Sequence, residues 1–345
     1  MKKILLATTV LASFAGAASA EVVFSGYGRF GLEYNNHPDT IDYTDGTRAG
    51  TVSVQTTANK TKSIISDRFR LNIDGKTVTD GGITFGGRIR IQASSGQYNG
   101  AGGGGTINAP QLYAVANGFR LEVGNVNEAL DSVALFYNSE MGYEDSSNGE
   151  AYGFYSYAST PFGNVNRNGV FFSYAMAGLN LRASYIKPDQ TLKTNATGTS
   201  GEFSASADYA YGQFTFAAGG ASHANGVSKA FYNFVGAAYA VSPDINVGLN
   251  YNNANDIVLP GYTSYSGTFP GDQVTSITTL YGNYTMGAIT LRAYVAGTNA
   301  DYVKHKYVGG IGADYALGGG TRISGSIRPD YAGNTTADVG VRFDF

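Results

Sequence analysis

From residue 21 onward the chain alternates greasy and polar positions with a period of two. In the first run, Phe24, Phe30, Leu32 and Tyr34 share one face with Gly26 and Gly28, while Ser25, Tyr27, Arg29 and Glu33 share the other. The stretch SDRFRLNID sets Phe69, Leu71 and Ile73 against Arg68, Arg70, Asn72 and Asp74. In ITFGGRIRIQ, Ile83, Phe85, Ile89 and Ile91 oppose Thr84, Arg88, Arg90 and Gln92. The same rhythm returns with Leu179, Leu181, Ala183 and Tyr185 against Asn180, Arg182 and Ser184, and with Ile323 and Ile327 against Arg322, Ser324, Ser326 and Arg328. Successive side chains of a β-strand point to opposite faces, so this period reads as strand. Sixteen strands are predicted, at roughly 22–34, 65–75, 82–93, 110–117, 119–125, 168–176, 179–187, 202–211, 213–221, 231–241, 244–252, 274–285, 288–297, 306–316, 321–328 and 336–345. Helical spacing is missing, and no segment after Ala20 approaches the ~20 apolar residues of a membrane helix.

The connections sort into two kinds. KTVTDGG (76–82), NG (117–118), AG (177–178), YG (211–212), SPD (242–244), MG (286–287) and LGGG (317–320) are tight turns. The segments 35–64, 94–109, 126–167, 188–201 and 253–273 are long and polar. Short turns at one end and long loops at the other predict an all-β, antiparallel up-and-down barrel of the membrane type. Parity decides which face is inside. Of the 13 arginines, 11 fall on polar strand faces, at 29, 68, 70, 88, 90, 120, 182, 292, 322, 328 and 342; only Arg48 and Arg167 fall in loops or turns. A soluble barrel of sixteen strands has more lumen than apolar side chains fill. In lipid the greasy face turns outward, the arginines line water, and closure pairs every backbone group.

The ends and the composition refine this. MKKILLATTVLASFAGAASA opens on Lys2 and Lys3, continues apolar and ends on the small residues Ala18-Ser19-Ala20. That is the pattern of a secretory signal peptide, 1–20, with 21–345 as the barrel domain; a retained anchor is the alternative, and the apolar run is short for one. Cleavage leaves 21 Lys+Arg against 26 Asp+Glu, so no basic bias points to nucleic acid. The absence of cysteine excludes a disulfide scaffold and thiolate metal or redox sites. The end VGVRFDF still alternates and stops on an aromatic, as if the last residue belongs to a strand.

Three stretches, EVVFSGYGRFGLEYNN after the signal, FRLEVGNVNEALDS at 119–132 and the terminal VGVRFDF, resemble Gram-negative general porins, particularly those of alphaproteobacteria. The resemblance spans residues 21–345 in strand and loop order. It implies an outer-membrane location among lipid and lipopolysaccharide, a homotrimer, and a third loop folded into the pore. It also implies an assembly signal in the last strand, here Val339, Val341, Phe343 and Phe345, read by the barrel-assembly machinery. The expected function is a water-filled channel for small hydrophilic solutes and ions, with no catalytic residue and no cofactor.

The third loop, 126–167, is far longer than an ordinary connection. It carries Glu128, Asp131, Glu140, Glu144, Asp145 and Glu150. Folded inward, it sets these carboxylates against a basic wall of Arg29, Arg68, Arg70, Arg88 and Arg90, producing a transverse field across a constriction. The plainer reading is a solvated acidic surface loop. Other patterns carry less. GYGRFG (26–31) has the glycines of a dinucleotide loop, without the following helix that site needs. GGIGAD (309–314) is a single copy of a calcium-binding repeat that works only when stacked. Asp39, Asp42 and Asp45 offer oxygens to a loop-bound Ca²⁺, without EF-hand spacing. His37, His223 and His305 lie in or beside loops and leave a hydrolase as an alternative. A sugar- or anion-preferring porin using Tyr27, Tyr155 and Tyr157 and a non-conducting adhesin barrel are the others.

Overall fold

The computed structural model describes residues 20–36, 41–44, 51–54, 61–95, 103–150, 167–192, 200–255, 264–265, 274–301 and 303–345. Sixteen of its strands form the barrel: β1 Glu21–Asn35, β2 Ser63–Val78, β3 Thr84–Ser95, β4 Gln111–Ala116, β5 Phe119–Gly124, β6 Asn168–Met176, β7 Leu179–Lys187, β8 Glu202–Tyr211, β9 Phe214–Ser222, β10 Phe231–Ser242, β11 Ile245–Ala254, β12 Thr275–Met286, β13 Ile289–Thr298, β14 Tyr307–Gly318, β15 Thr321–Pro329 and β16 Thr335–Asp344. Each pairs antiparallel with its chain neighbours, and β1 pairs with β16 from Tyr27↔Asp344 to Asn35↔Thr336, which closes the barrel.

Two departures from the predicted strands have local causes. β2 runs on to Val78 because its ladder with β3 continues through Lys76↔Gly86, Thr77↔Phe85 and Val78↔Thr84, so the turn begins at Thr79, whose N–H donates to the Ile83 carbonyl at 2.9 Å. Inside the expected loop 94–109, Gly103–Ile107 forms a strand along β3, with Ile91 opposite Ile107; edge pairing outweighs the low strand preference of its glycines. Outside the barrel, Ile41–Thr44 pairs antiparallel with Thr51–Val54 and parallel with Ser264–Tyr265, joining the long segments 35–64 and 253–273.

At the short-turn end, Asn117 and Gly118 have φ of 49° and 83°. Two left-handed residues make the turn whose twist matches the strands it joins. Burial is inverted relative to a soluble barrel. Phe30, Leu112 and Val295 on the outer face are 53%, 57% and 59% exposed, whereas Ser204, Asn250 and Ser324 on the inner face are 0%, 1% and 1% exposed. The apolar core lies inside, between loop 3 and part of the wall. It packs Leu130, Phe136 and Met141 of the loop against Tyr232, Phe234, Tyr281 and Tyr294. The Phe136 and Phe234 rings meet edge to face at 5.1 Å.

Candidate functional site

Loop 3 lies against the inner wall, held by polar side chains that parity points inward. The Ala129 and Leu130 N–H groups donate to Ser184 Oγ (2.9 Å) on β7 and Ser204 Oγ (3.1 Å) on β8. Asn250 on β11 donates to the Leu135 carbonyl (2.7 Å), and Thr279 on β12 to the Gly149 carbonyl (2.7 Å). The Asn148 N–H donates to the Tyr294 hydroxyl (2.9 Å) on β13, and the Tyr143 N–H to Asp338 Oδ1 (3.0 Å) on β16. The inner wall thus satisfies loop backbone that would otherwise be buried without partners. The chain travels from β7 round to β16 and β1 and turns back there, with Met141 and Ser146 exchanging two backbone hydrogen bonds of 3.1 Å.

The other part of the wall carries arginines in a regular ladder. The cross-strand pairs of β2 and β3 on the inner face are Arg68↔Ser94, Arg70↔Gln92, Asn72↔Arg90 and Asp74↔Arg88. Every rung holds one arginine and one acceptor. Each arginine donates its Nε to its partner: Arg68 to Ser94 Oγ at 3.2 Å, Arg70 to Gln92 Oε1 at 2.8 Å, Arg90 to Asn72 Oδ1 at 2.9 Å, and Arg88 to both Asp74 oxygens at 2.9 and 3.0 Å. Bonding through Nε fixes the plane of each guanidinium on its rung. The acceptors opposite Arg68, Arg70 and Arg90 are neutral, so three rungs orient a positive charge without cancelling it. On β5, Arg120 pairs with Glu122 and stacks over Tyr113 at 4.1 Å.

A second row runs across strands. Arg322, Arg342, Arg29 and Arg68 are consecutive cross-strand partners on β15, β16, β1 and β2. Adjacent like charges repel, and the loop tip compensates three of them. The Glu144 carboxylate accepts from Arg29, and from Ser66 Oγ at 3.1 Å. Asp145 accepts from Arg322 at 2.6 Å and also pairs with Arg342. The Tyr27 ring lies in the same cluster, with Arg342 4.2 Å and Arg70 5.0 Å from its centroid.

The expected acidic face is therefore divided. Glu144 meets Arg29, and Asp145 meets Arg322 and Arg342. Glu128 and Glu150 face protein instead: Glu128 is fully buried, accepting the Asp131 N–H at 2.8 Å, and Glu150 accepts from the buried Ser139 hydroxyl. Burial first, then the charge of Glu202, holds the Glu128 carboxyl well above its ordinary value. Asp131 accepts from the Tyr137 hydroxyl; burial raises its carboxyl, and the charge of Arg90 on the ladder works the other way. Glu140 is half-buried. Sequence reasoning placed Arg322 and Arg342 on the polar face but not in the cluster, and it missed Tyr143 and Asp338 altogether. Asp338 carries only the parity signal, which says nothing of register between distant strands, and Tyr143, in a loop, carries none.

The remaining candidates are placed as follows. GYGRFG lies within β1 and GGIGAD within β14. His223 has a left-handed backbone (φ 56°) beside the 3-10 turn Ala224–Gly226, with Nδ1 3.2 Å from the Gly201 carbonyl. His305 sits near Gly333. His37, Asp39, Asp45, Arg48, Tyr155 and Tyr157 lie outside the described residues, and Asp42 is described in backbone only. Among the described residues no three His, Asp or Glu side chains gather as a metal site. At the C-terminus, Phe345 exchanges backbone hydrogen bonds of 2.8 and 3.0 Å with Gly26, and its ring stacks on Phe69 at 5.7 Å. The Phe343 ring covers Gly28, while Val339 is exposed on the outer face and Val341 lies opposite Phe30.

An outward-greasy, closed barrel with a loop folded against its inner wall has clear relatives. The family model described as Gram-negative porin matches residues 7–334. The chain belongs to the Gram-negative porin family. The porin of Fuscovulum blasticum is 40% identical over 330 residues, covering 94% of this chain and all of the relative. Two mutants of Rhodopseudomonas blastica porin superpose with TM-scores of 0.77 and 0.76 at 37% and 38% identity, again over 94% of this chain and all of theirs. This porin is accordingly an outer-membrane channel protein and not an enzyme.

Proposed function

We propose that loop 3 and the arginine ladder form the constriction of a passive pore for small hydrophilic solutes and ions. The observation that carries this reading is the ladder itself: Arg68, Arg70 and Arg90 are each oriented by a neutral partner. Arg88, paired with Asp74, completes the wall. On the facing side, Asp131 and Glu140 of the loop supply the acid. The resulting field orients dipolar solutes and disfavours apolar ones, and the low-dielectric wall limits its screening. Arg29, Glu144 and Asp145 belong to the anchorage of the loop, and Glu128 and Glu150 to its buried side. Replacing Arg68, Arg70, Arg88 and Arg90 together with glutamine shifts the zero-current potential of single channels toward cation preference; an unmoved potential rejects the wall.

The same reading includes removal of residues 1–20, which agrees with a first strand starting at Glu21. It includes a homotrimer in outer-membrane lipid beside lipopolysaccharide, as the resemblance to general porins implies. Val339, Val341, Phe343 and Phe345 serve as the signal for the barrel-assembly machinery. A sugar-preferring pore is less well supported: Tyr27 is buried among arginines and offers no open ring for stacking.

A further inference from the structure

We propose that the tip of loop 3, Tyr143-Glu144-Asp145, is an internal clasp that holds the first and last strands of the barrel together. Every other pair of neighbouring barrel strands is joined by the chain that runs between them. β1 and β16 have no such connection and meet through their ladder. The loop tip lands on this seam and spans it with three successive residues.

The socket is built from both strands. Gly31 of β1 and Gly340 of β16 are cross-strand partners on the inner face. A Cβ on Gly31 would lie 2.4 Å from the Val339 carbonyl oxygen and 2.9 Å from the Tyr143 ring; one on Gly340 would lie 2.5 Å from the Phe30 oxygen and 2.7 Å from the same ring. The paired glycines thus leave a flat recess one ring wide, and Tyr143 fills it, fully buried. An aromatic laid over strand glycines restores the packing they lack. The residue's two polar groups then divide between the strands. Its N–H donates to Asp338 of β16 at 3.0 Å, and its hydroxyl to Glu33 of β1 at 3.3 Å. Glu144 binds Arg29 of β1 and Ser66 of β2, and Asp145 binds Arg342 of β16 and Arg322 of β15.

Neither strand alone offers this socket. Docking of the tip therefore requires a closed barrel, and a docked tip opposes opening of the seam. Elsewhere the loop is tied to single strands, as at Asn250 on β11 or Thr279 on β12, where it can be loosened without touching the seam. This role is separate from ion selectivity and stands whether or not the ladder sets it.

Hydrogen exchange by mass spectrometry on the purified porin tests it. With Tyr143→Ala, amides of β1 and β16 should exchange about tenfold faster, corresponding to about 1.4 kcal/mol of lost local protection, while those of β11 and β12 stay unchanged. With Asn250→Ala, the loop should exchange faster and the seam should not. Seam exchange that is unchanged in Tyr143→Ala, or raised equally by Asn250→Ala, overturns the proposal. Should Tyr143→Ala fail to accumulate as a barrel, a disulfide across the seam decides. The chain has no cysteine, and Leu32 and Val339 are cross-strand partners on the outer face. Oxidised Leu32→Cys/Val339→Cys should restore refolding of Tyr143→Ala in detergent; if the bonded barrel still fails to refold, the tip does not act by fastening the seam.

Discussion

Arg68 and Arg70 allow a quantitative test of the pore's electrostatics, because their anchors are the neutral Ser94 and Gln92. Among the described residues no carboxylate lies within ion-pair distance of either, so Arg68→Gln/Arg70→Gln removes two positive charges and strands no acid. An ion passing about 7 Å from each guanidinium feels about 0.6 kcal/mol per charge in water, or about 1.2 kcal/mol for the pair. At 0.1 M salt a screening length of about 10 Å halves this to about 0.6 kcal/mol. That is a factor of about 3 in occupancy, in opposite directions for anions and cations, so the cation-to-anion permeability ratio should rise about eightfold. At 1 M salt, where the screening length is about 3 Å, roughly a tenth of the interaction remains and the shift should nearly vanish. Planar-bilayer recordings across a potassium chloride gradient, at low and high mean salt, measure both. An unchanged zero-current potential at low salt refutes the electrostatic argument. A shift that persists at 1 M refutes it equally, because it would come from altered pore shape.

Three further outcomes are expected. The folded state holds a proton on Glu128 more tightly than the unfolded chain, so wild-type stability should fall as pH rises from the ordinary carboxylate range through the raised value; Glu128→Gln should flatten that decline and be the more stable at neutral pH, read from the unfolding temperature in detergent between about pH 4 and 8. Phe136→Ala should cost about 3–5 kcal/mol of packing beneath loop 3, and because the barrel ladder is untouched the loss should appear as faster proteolysis within the loop while the heat-resistant barrel band on gels persists. Phe345→Ala should sharply reduce folded porin in the outer membrane yet leave refolding of the purified chain in detergent nearly intact, since the backbone bonds to Gly26 remain and the lost ring stack on Phe69 is worth only about 0.5–1.5 kcal/mol; equal failure in both settings would argue against a signal.

Much of the barrel was legible from the sequence because its rule is local. A period of two assigns each side chain to lipid or lumen without knowing which strand lies next to it. All 11 strand-face arginines lie on the faces that parity predicts, and the count of sixteen strands holds. What parity does not carry is register between strands far apart in sequence. Arg29 and Arg342 are partners only because the barrel closes, so the arginine row and the Gly31–Gly340 recess beside it were invisible. Charge alone reads Glu128 as one of the acids facing the arginine wall, but loop 3 is packed against the barrel and that carboxyl lies buried beside Glu202. Within the segment 94–109, the glycines at 103–105 read as irregular chain, and the available edge of β3 makes them a strand.

The inward arginines have one more effect, on the accuracy of assembly. A strand that slips by one residue against its neighbour turns its whole inner face outward. For β2 such a slip would present Arg68 and Arg70 to acyl chains, at about 2–4 kcal/mol each near the bilayer midplane. It would also abandon the acceptors on β3 that hold their Nε atoms. Charges that serve water in the finished pore thus act during insertion as parity marks, making the out-of-step arrangement of each arginine-bearing strand the one the membrane rejects.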